Sequence, residues 1–119
     1  MRKRRTLAAI ATVLLLSVAA CNQSTNATVR FSDFEIKPSG FKAVVGQPFT
    51  LTLINAGRVR HNLQLDPAVT DIPLPAALNP GDRVSVTFTP RTAGTSDYWC
   101  AIPGHLEAGM KGTLTVEDR

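Results

Sequence analysis

Phe49-Thr50-Leu51-Thr52-Leu53 alternates apolar and hydroxyl residues without a fault. That period of two belongs to a strand with one dry face and one wet face, and it recurs along most of the chain. Val29 and Phe31 alternate, then Phe34 and Ile36 do, with the phase slipping by one residue near Ser32-Asp33 as a β-bulge requires. Phe41 to Val45 is a short apolar segment between two breaks, Pro38-Ser39-Gly40 and Gly46-Gln47-Pro48. His61, Leu63 and Leu65 share one face of a further strand, and Val84, Val86 and Phe88 share a face of the next. Thr95 to Cys100 carries Tyr98 and Cys100 on one face and Trp99 on the other, and Leu114 and Val116 mark the last strand. Asn55-Ala56-Gly57, Asn79-Pro80-Gly81-Asp82 and Pro90 to Gly94 are turn signals. Pro67 to Leu78 is irregular, with room for a short helical turn, and no amphipathic helix of useful length is present. The expected fold is an all-β Greek-key β-sandwich of about seven to eight short strands.

The first residues do not belong to that pattern. Arg2-Lys3-Arg4-Arg5 is a basic cluster, and Thr6 to Ala20 is almost purely apolar, too short for a comfortable membrane span and the right length for the core of a signal peptide. The run ends in Ser17-Val18-Ala19-Ala20-Cys21, which resembles the lipobox of bacterial lipoproteins. The resemblance implies removal of residues 1–20 and a lipid on Cys21. The plainer alternative is an ordinary signal peptide cut near Ala20. Residues 21–27 then form a short polar tether, and residues 28–119 the domain. An exported protein anchored by lipid to a bacterial membrane, facing the periplasm or the cell exterior, is the expectation.

The leader also owns the charge. Of 13 basic residues four lie in it, so the remainder carries nine against nine acidic ones. The basic balance of the whole chain is therefore no sign of nucleic-acid binding, and the domain has no basic run interleaved with aromatics. Export allows disulfides. A lipid on Cys21 would leave Cys100 without a partner in an oxidising compartment, protected by burial or by metal.

After the leader the chain holds two histidines, His61 and His105, one methionine, Met110, and one cysteine besides Cys21, Cys100. Two histidines, a cysteine and a weak axial methionine make up the ligand list of a blue-copper electron-transfer site. Three of the four fall in Tyr98-Trp99-Cys100-Ala101-Ile102-Pro103-Gly104-His105-Leu106-Glu107-Ala108-Gly109-Met110, each five positions from the next. Cys100 ends a strand. Pro103 restricts the backbone and Gly104 permits a positive φ, so the turn can bring His105 back beside Cys100. A second bend at Glu107-Ala108-Gly109 can set Met110 beneath.

His61-Asn62 followed by this loop resembles the cupredoxin family, over essentially all of Thr28 to Arg119. The resemblance implies one copper ion cycling between Cu(I) and Cu(II), with His61, Cys100 and His105 as equatorial ligands and Met110 as axial ligand. It implies that Asn62 points its backbone N–H at the cysteine sulfur and braces the ligand loop with its side chain. It implies a monomeric electron carrier, not an enzyme, whose partners are redox proteins such as cytochromes or oxidase and reductase complexes. The His105 edge, within an apolar rim of Ala101, Ile102, Pro103, Leu106 and Ala108, is the expected exit for the electron.

Each residue also has a plainer reading: Cys100 as a buried thiol, Met110 as core filler, His105 as a surface residue, Trp99 as core packing, Arg58 and Arg60 as solvated charges. Three rival functions stand beside the carrier. A copper chaperone or storage lipoprotein is the first, although handover favours paired cysteines or methionine clusters. A Cys–His enzyme with Cys100 as nucleophile lacks an evident orienting acid. A metal-free adhesion sandwich leaves the grouping of His, Cys and Met unexplained.

Overall fold

In the strand Phe49–Asn55 every second side chain is buried, and Leu51 and Leu53 have no exposed surface at all. Complete burial of a leucine contributes roughly 1.5–3 kcal/mol, so the period-two pattern by itself fixes which face of the strand turns inward. The structure, a computed structural model, describes Ser17, residues 23–70 and residues 72–119. Cys21 and, apart from Ser17, the leader lie outside the described residues.

Among the described residues eight strands make two four-stranded sheets: β1 (Asn26–Ser32), β2 (Glu35–Lys37), β3 (Gly40–Val44), β4 (Phe49–Asn55), β5 (Gln64–Leu65), β6 (Arg83–Phe88), β7 (Gly94–Trp99) and β8 (Lys111–Glu117). The first sheet has the order β2-β1-β4-β6 and the second β3-β8-β7-β5. Within them β1 runs parallel to β4 and β3 parallel to β8, while the other neighbours are antiparallel. This is the expected all-β sandwich. Val29, Phe31, Leu51 and Leu53 from the first sheet meet Phe41, Tyr98, Leu114 and Val116 from the second in one core. Phe41 stacks on Phe49 with centroids 5.5 Å apart and leans on Tyr98 at 5.2 Å, tying the two sheets together through aromatic contacts.

One contact sets the register of the strands that carry the ligand loop. Tyr98 lies opposite Gly112. A Cβ at residue 112 would sit 2.2 Å from Tyr98 Cζ, so only glycine lets the ring lie flat across the neighbouring strand. The Tyr98 hydroxyl donates to the Pro38 carbonyl, and burial pushes its pKa up to about 12.

Three local expectations change. The phase slip at Ser32-Asp33 is a hairpin, not a bulge: Phe31 faces Ile36 and Ser32 faces Glu35, leaving Asp33 and Phe34 as a two-residue turn. Phe34 sits at φ 66° and is 54% exposed, so it belongs to the turn and not to the inward face. The strand expected around His61 shrinks to Gln64–Leu65, with His61 joined to Leu78 by an isolated bridge. The alternation of His61, Leu63 and Leu65 still puts all three inside. Trp99, with a core-packing reading, is half-buried on the face opposite Tyr98.

β1, β4 and β7 end, and β6 and β8 begin, at the same end of the sandwich, where the 33–34 turn, the 56–62 segment and the 100–110 loop come together. That end holds the histidines and the cysteine.

Candidate metal centre

β7 delivers Cys100 to the edge of the core, fully buried. From there the chain makes a loop that is bonded almost entirely to itself. The Cys100 amide donates to the Met110 carbonyl at 3.0 Å, the Met110 amide to the His105 carbonyl at 3.0 Å and the His105 amide to the Ile102 carbonyl at 3.0 Å. Ala108 N–H bonds Gly104 O, and Gly109 N–H bonds Leu106 O. Gly104 and Gly109 take φ values of 83° and 98°, a region other residues enter only at a cost, and these are the two bends that double the loop back. Met110 ends up with no exposed surface, directly before β8 and bonded through its backbone to both Cys100 and His105.

His61 comes from elsewhere. Its backbone exchanges two hydrogen bonds with Leu78, at 3.1 and 2.7 Å. Its ring stacks on Phe31 at 5.7 Å and has no exposed surface. Asn55, 1% exposed, organises the approach: its side-chain amide donates to the carbonyls of Val59 and Leu78, and its oxygen accepts from Gly57 N–H. The neighbour of His61, Asn62, ties this segment to the loop. Its backbone N–H points at Cys100 Sγ at 3.5 Å, its side-chain oxygen accepts from Ala101 N–H at 2.7 Å, and its side-chain amide donates to Ala76 O at 3.0 Å.

The three ligand-type side chains meet. One ligand atom from each of His61, Cys100 and His105 lies within 4.8 Å of the others. The two Nδ1 atoms are 3.2 Å apart, and Cys100 Sγ is 3.4 Å from His105 Nδ1. Two neutral imidazoles with Nδ1 turned towards each other can share one proton between them in a hydrogen bond, and a metal ion taking both Nδ1 lone pairs would move that proton to Nε2. Burial, and then the neighbouring His105, hold the His61 imidazole below its ordinary pKa against the opposing pull of Asp33. The neutral ring is the form that binds metal. A donor set of two imidazole nitrogens and a thiolate, with no carboxylate among the three, fits copper and suits magnesium or calcium poorly.

Two residues at this centre, Asp33 and Phe34, belong to no ligand motif in the sequence. Asp33 Oδ1 lies 3.8 Å from His61 Nε2. The same carboxylate accepts the Arg58 backbone N–H at 2.7 Å and its guanidinium at 3.0 Å, and these contacts hold its pKa below the usual carboxylate value. Phe34 packs edge-on against the His105 ring with centroids 5.5 Å apart. Its signal was the phase slip at Ser32-Asp33, open to reading as a hairpin as well as a bulge.

A model of the cupredoxin-like domain matches residues 5–116. Auracyanin-B of Chloroflexus aurantiacus is 58% identical over 41 residues, covering 34% of this chain and 17% of that protein. The copper-resistant cuproprotein CopI of Pseudomonas aeruginosa is 40% identical over 47 residues, covering 40% of this chain and 26% of that protein. The chain thus spans well under half the length of these curated relatives. Among solved structures, dithionite-reduced auracyanin from Roseiflexus castenholzii superposes with a TM-score of 0.67 at 26% identity, over 81% of this chain and 99% of that one. Auracyanin B superposes with a TM-score of 0.64 at 30% identity, over 77% and 88% of the two chains. The copper-containing nitrite reductase of Thermus scotoductus shares the fold alone, at 22% identity, a TM-score of 0.63 and coverage of 79% of this chain and 28% of that one.

Proposed function

The chain belongs to the cupredoxin-like family, and from that premise we propose that it is a mononuclear blue-copper protein that shuttles single electrons between redox partners at a membrane surface. The observation that carries this reading is the convergence of His61 Nδ1, His105 Nδ1 and Cys100 Sγ in a pocket with almost no solvent access. Those three atoms would hold the ion, with Met110 as the weak fourth ligand. Copper in such a site supplies a one-electron Cu(II)/Cu(I) couple.

The protein's part is to keep the donors still. The self-bonded 100–110 loop fixes Cys100, His105 and Met110 relative to one another, and Asn62 fastens that loop to the segment bearing His61. The Asn62 N–H at the sulfur draws charge from the thiolate and tunes the couple. Four protein donors leave no position for a substrate, which favours a carrier over an enzyme.

The route out is the His105 edge, 8% exposed. Among the described residues the large hydrophobic side chains that stay exposed are Phe34, Val59 and Leu106. All three belong to segments of this end, with Leu106 next to His105 and Phe34 against its ring. With Ala101, Ile102, Pro103 and Ala108 they form an apolar face suited to the small, brief contacts of redox encounters. Partners of the cytochrome, oxidase or reductase kind fit it. A lipid on Cys21, with residues 22–25 as the tether before β1 begins at Asn26, would hold a monomeric domain close to a bacterial membrane, since four residues span at most roughly 14 Å.

Absorption and EPR spectra of the copper-loaded, oxidised protein test the reading. An intense blue thiolate-to-copper band with the narrow copper hyperfine splitting of such sites supports it, and a colourless protein overturns it. Leu106→Asp should slow electron transfer to a cytochrome while leaving the spectrum intact. Mass analysis of the membrane-bound protein should find diacylglycerol on Cys21, absent from Cys21→Ser. The likeness to CopI favours copper storage or delivery as a second reading, and rapid loss of copper to a Cu(I) chelator would select it over the carrier.

A further inference from the structure

His61 Nε2 is buried and has no hydrogen-bond partner. An imidazole that binds metal through Nδ1 carries its proton on Nε2, and that proton needs an acceptor. The polar group facing it is the Asp33 carboxylate, whose Oδ1 lies 3.8 Å away. This is beyond hydrogen-bond range, and a shift of about 1 Å closes it.

The surroundings read as built for that contact. Asp33 stands in the two-residue turn between β1 and β2, whose register is set by the Phe31–Ile36 and Ser32–Glu35 pairs. Arg58 holds the carboxylate from the other side, by its backbone N–H on Oδ1 and its guanidinium on Oδ2. Gly57 leaves the gap open: a Cβ there would lie 2.5 Å from Asp33 Oδ1 and 3.0 Å from His61 Nε2, between the two groups. Phe31 covers one face of the imidazole and keeps the ring's rotation limited.

We propose that Asp33 is the positioning residue for His61, accepting the Nε2 proton when Nδ1 is given to copper, with Arg58 as the clamp that sets how much of the carboxylate's charge reaches the ring. The inference rests on the copper reading. A carboxylate behind the imidazole makes it a stronger donor and favours the more highly charged oxidation state. Arg58 competes for the same charge, and its side chain is 92% exposed, so the copper is connected through two side chains to the surface beside the docking face.

The test uses the copper-loaded full domain and two readouts. The first is the exchange with water of the His61 Nε2 proton, followed by NMR in the diamagnetic Cu(I) form. The second is the reduction potential. Asp33→Asn keeps an acceptor for the Arg58 N–H and loses the charge, so it preserves the turn, while Asp33→Ala removes the acceptor entirely. Proton exchange should quicken from the wild type through Asn to Ala, by at least about tenfold at the end of the series. Asp33→Asn should lower the preference for Cu(II) over Cu(I) about tenfold, a rise of about 59 mV for a one-electron couple. Arg58→Gln should move the potential the opposite way and slow the exchange. Unchanged exchange in both Asp33 variants overturns the proposal, even with a shifted potential, because a bare charge acting through space would do that without any hydrogen bond. A wild-type protein that never turns blue instead sinks the copper reading itself, so the two failures are separable.

Discussion

The centre has two halves that are held in different ways. The 100–110 loop carries its own bracing: five backbone hydrogen bonds link residues of the loop to each other, and two positive-φ glycines allow the folds between them. His61 has almost nothing of that kind. It is held by Leu78 across a bridge, by Phe31 across a ring stack and by Asn55 through the loop before it, all contributed by other parts of the chain. One half is stiff because of its local sequence, the other because two sheets are packed. The first should tolerate damage elsewhere in the molecule, and the second should report it.

The largest expected effect removes the anchor of the self-braced half. Cys100→Ser should abolish the blue absorption altogether; a variant that stays blue would show that the sulfur is no ligand. Next is the register contact. Gly112→Ala drives a methyl group into Tyr98, and overpacking of this kind costs about 1–3 kcal/mol or more where a ring cannot yield. Denaturation of the metal-free protein should show the loss, and the copper spectrum should shift as β7 and β8 slip. If the 100–110 loop is as independent as its bonding indicates, the spectral change will be modest beside the stability change.

Asn55→Ala tests the other half. It removes the side-chain donor to the Val59 carbonyl and the acceptor of the Gly57 N–H, and leaves the Leu78 carbonyl with the His61 N–H alone, at a cost of about 1–3 kcal/mol. Here the spectrum should broaden even where the protein remains folded, because His61 loses its approach; a sharp, unaltered spectrum would erase the contrast between the halves. The smallest effect is one of pH. Tyr98 is buried and titrates near 12 when folded, above about 10 when unfolded. The unfolded chain therefore gives up that proton first as pH rises, and stability that is complete below about pH 10 falls between about 10 and 12. Tyr98→Phe should flatten that part of the pH–stability curve of the metal-free protein.

The same division explains what could be read in advance. Cys100, His105 and Met110 lie within eleven consecutive residues, so their spacing and the glycines between them announce a site without any knowledge of the fold. His61 was reachable because the chain after its leader holds only one other histidine. Asp33 and Phe34 were not. They sit far from the loop in sequence, and Asp-Phe is an unusual pair for a two-residue hairpin turn, where glycine or asparagine normally supplies the positive φ. The inward faces of β1, β4 and β7 followed from period two, but the bridge from His61 to Leu78 crosses an irregular, proline-containing stretch that has no period to follow.

β8 is the last strand in the chain, yet it lies inside its sheet, between β3 and β7. The sheet that presents Cys100 therefore cannot close until some of the most distant pairings in the sequence have formed, and sheets built this way assemble in milliseconds to seconds, not microseconds. Throughout that interval the thiol, wholly enclosed in the finished protein, stands open to oxidants and stray metals. The slower β8 finds its slot, the longer that sulfur remains accessible.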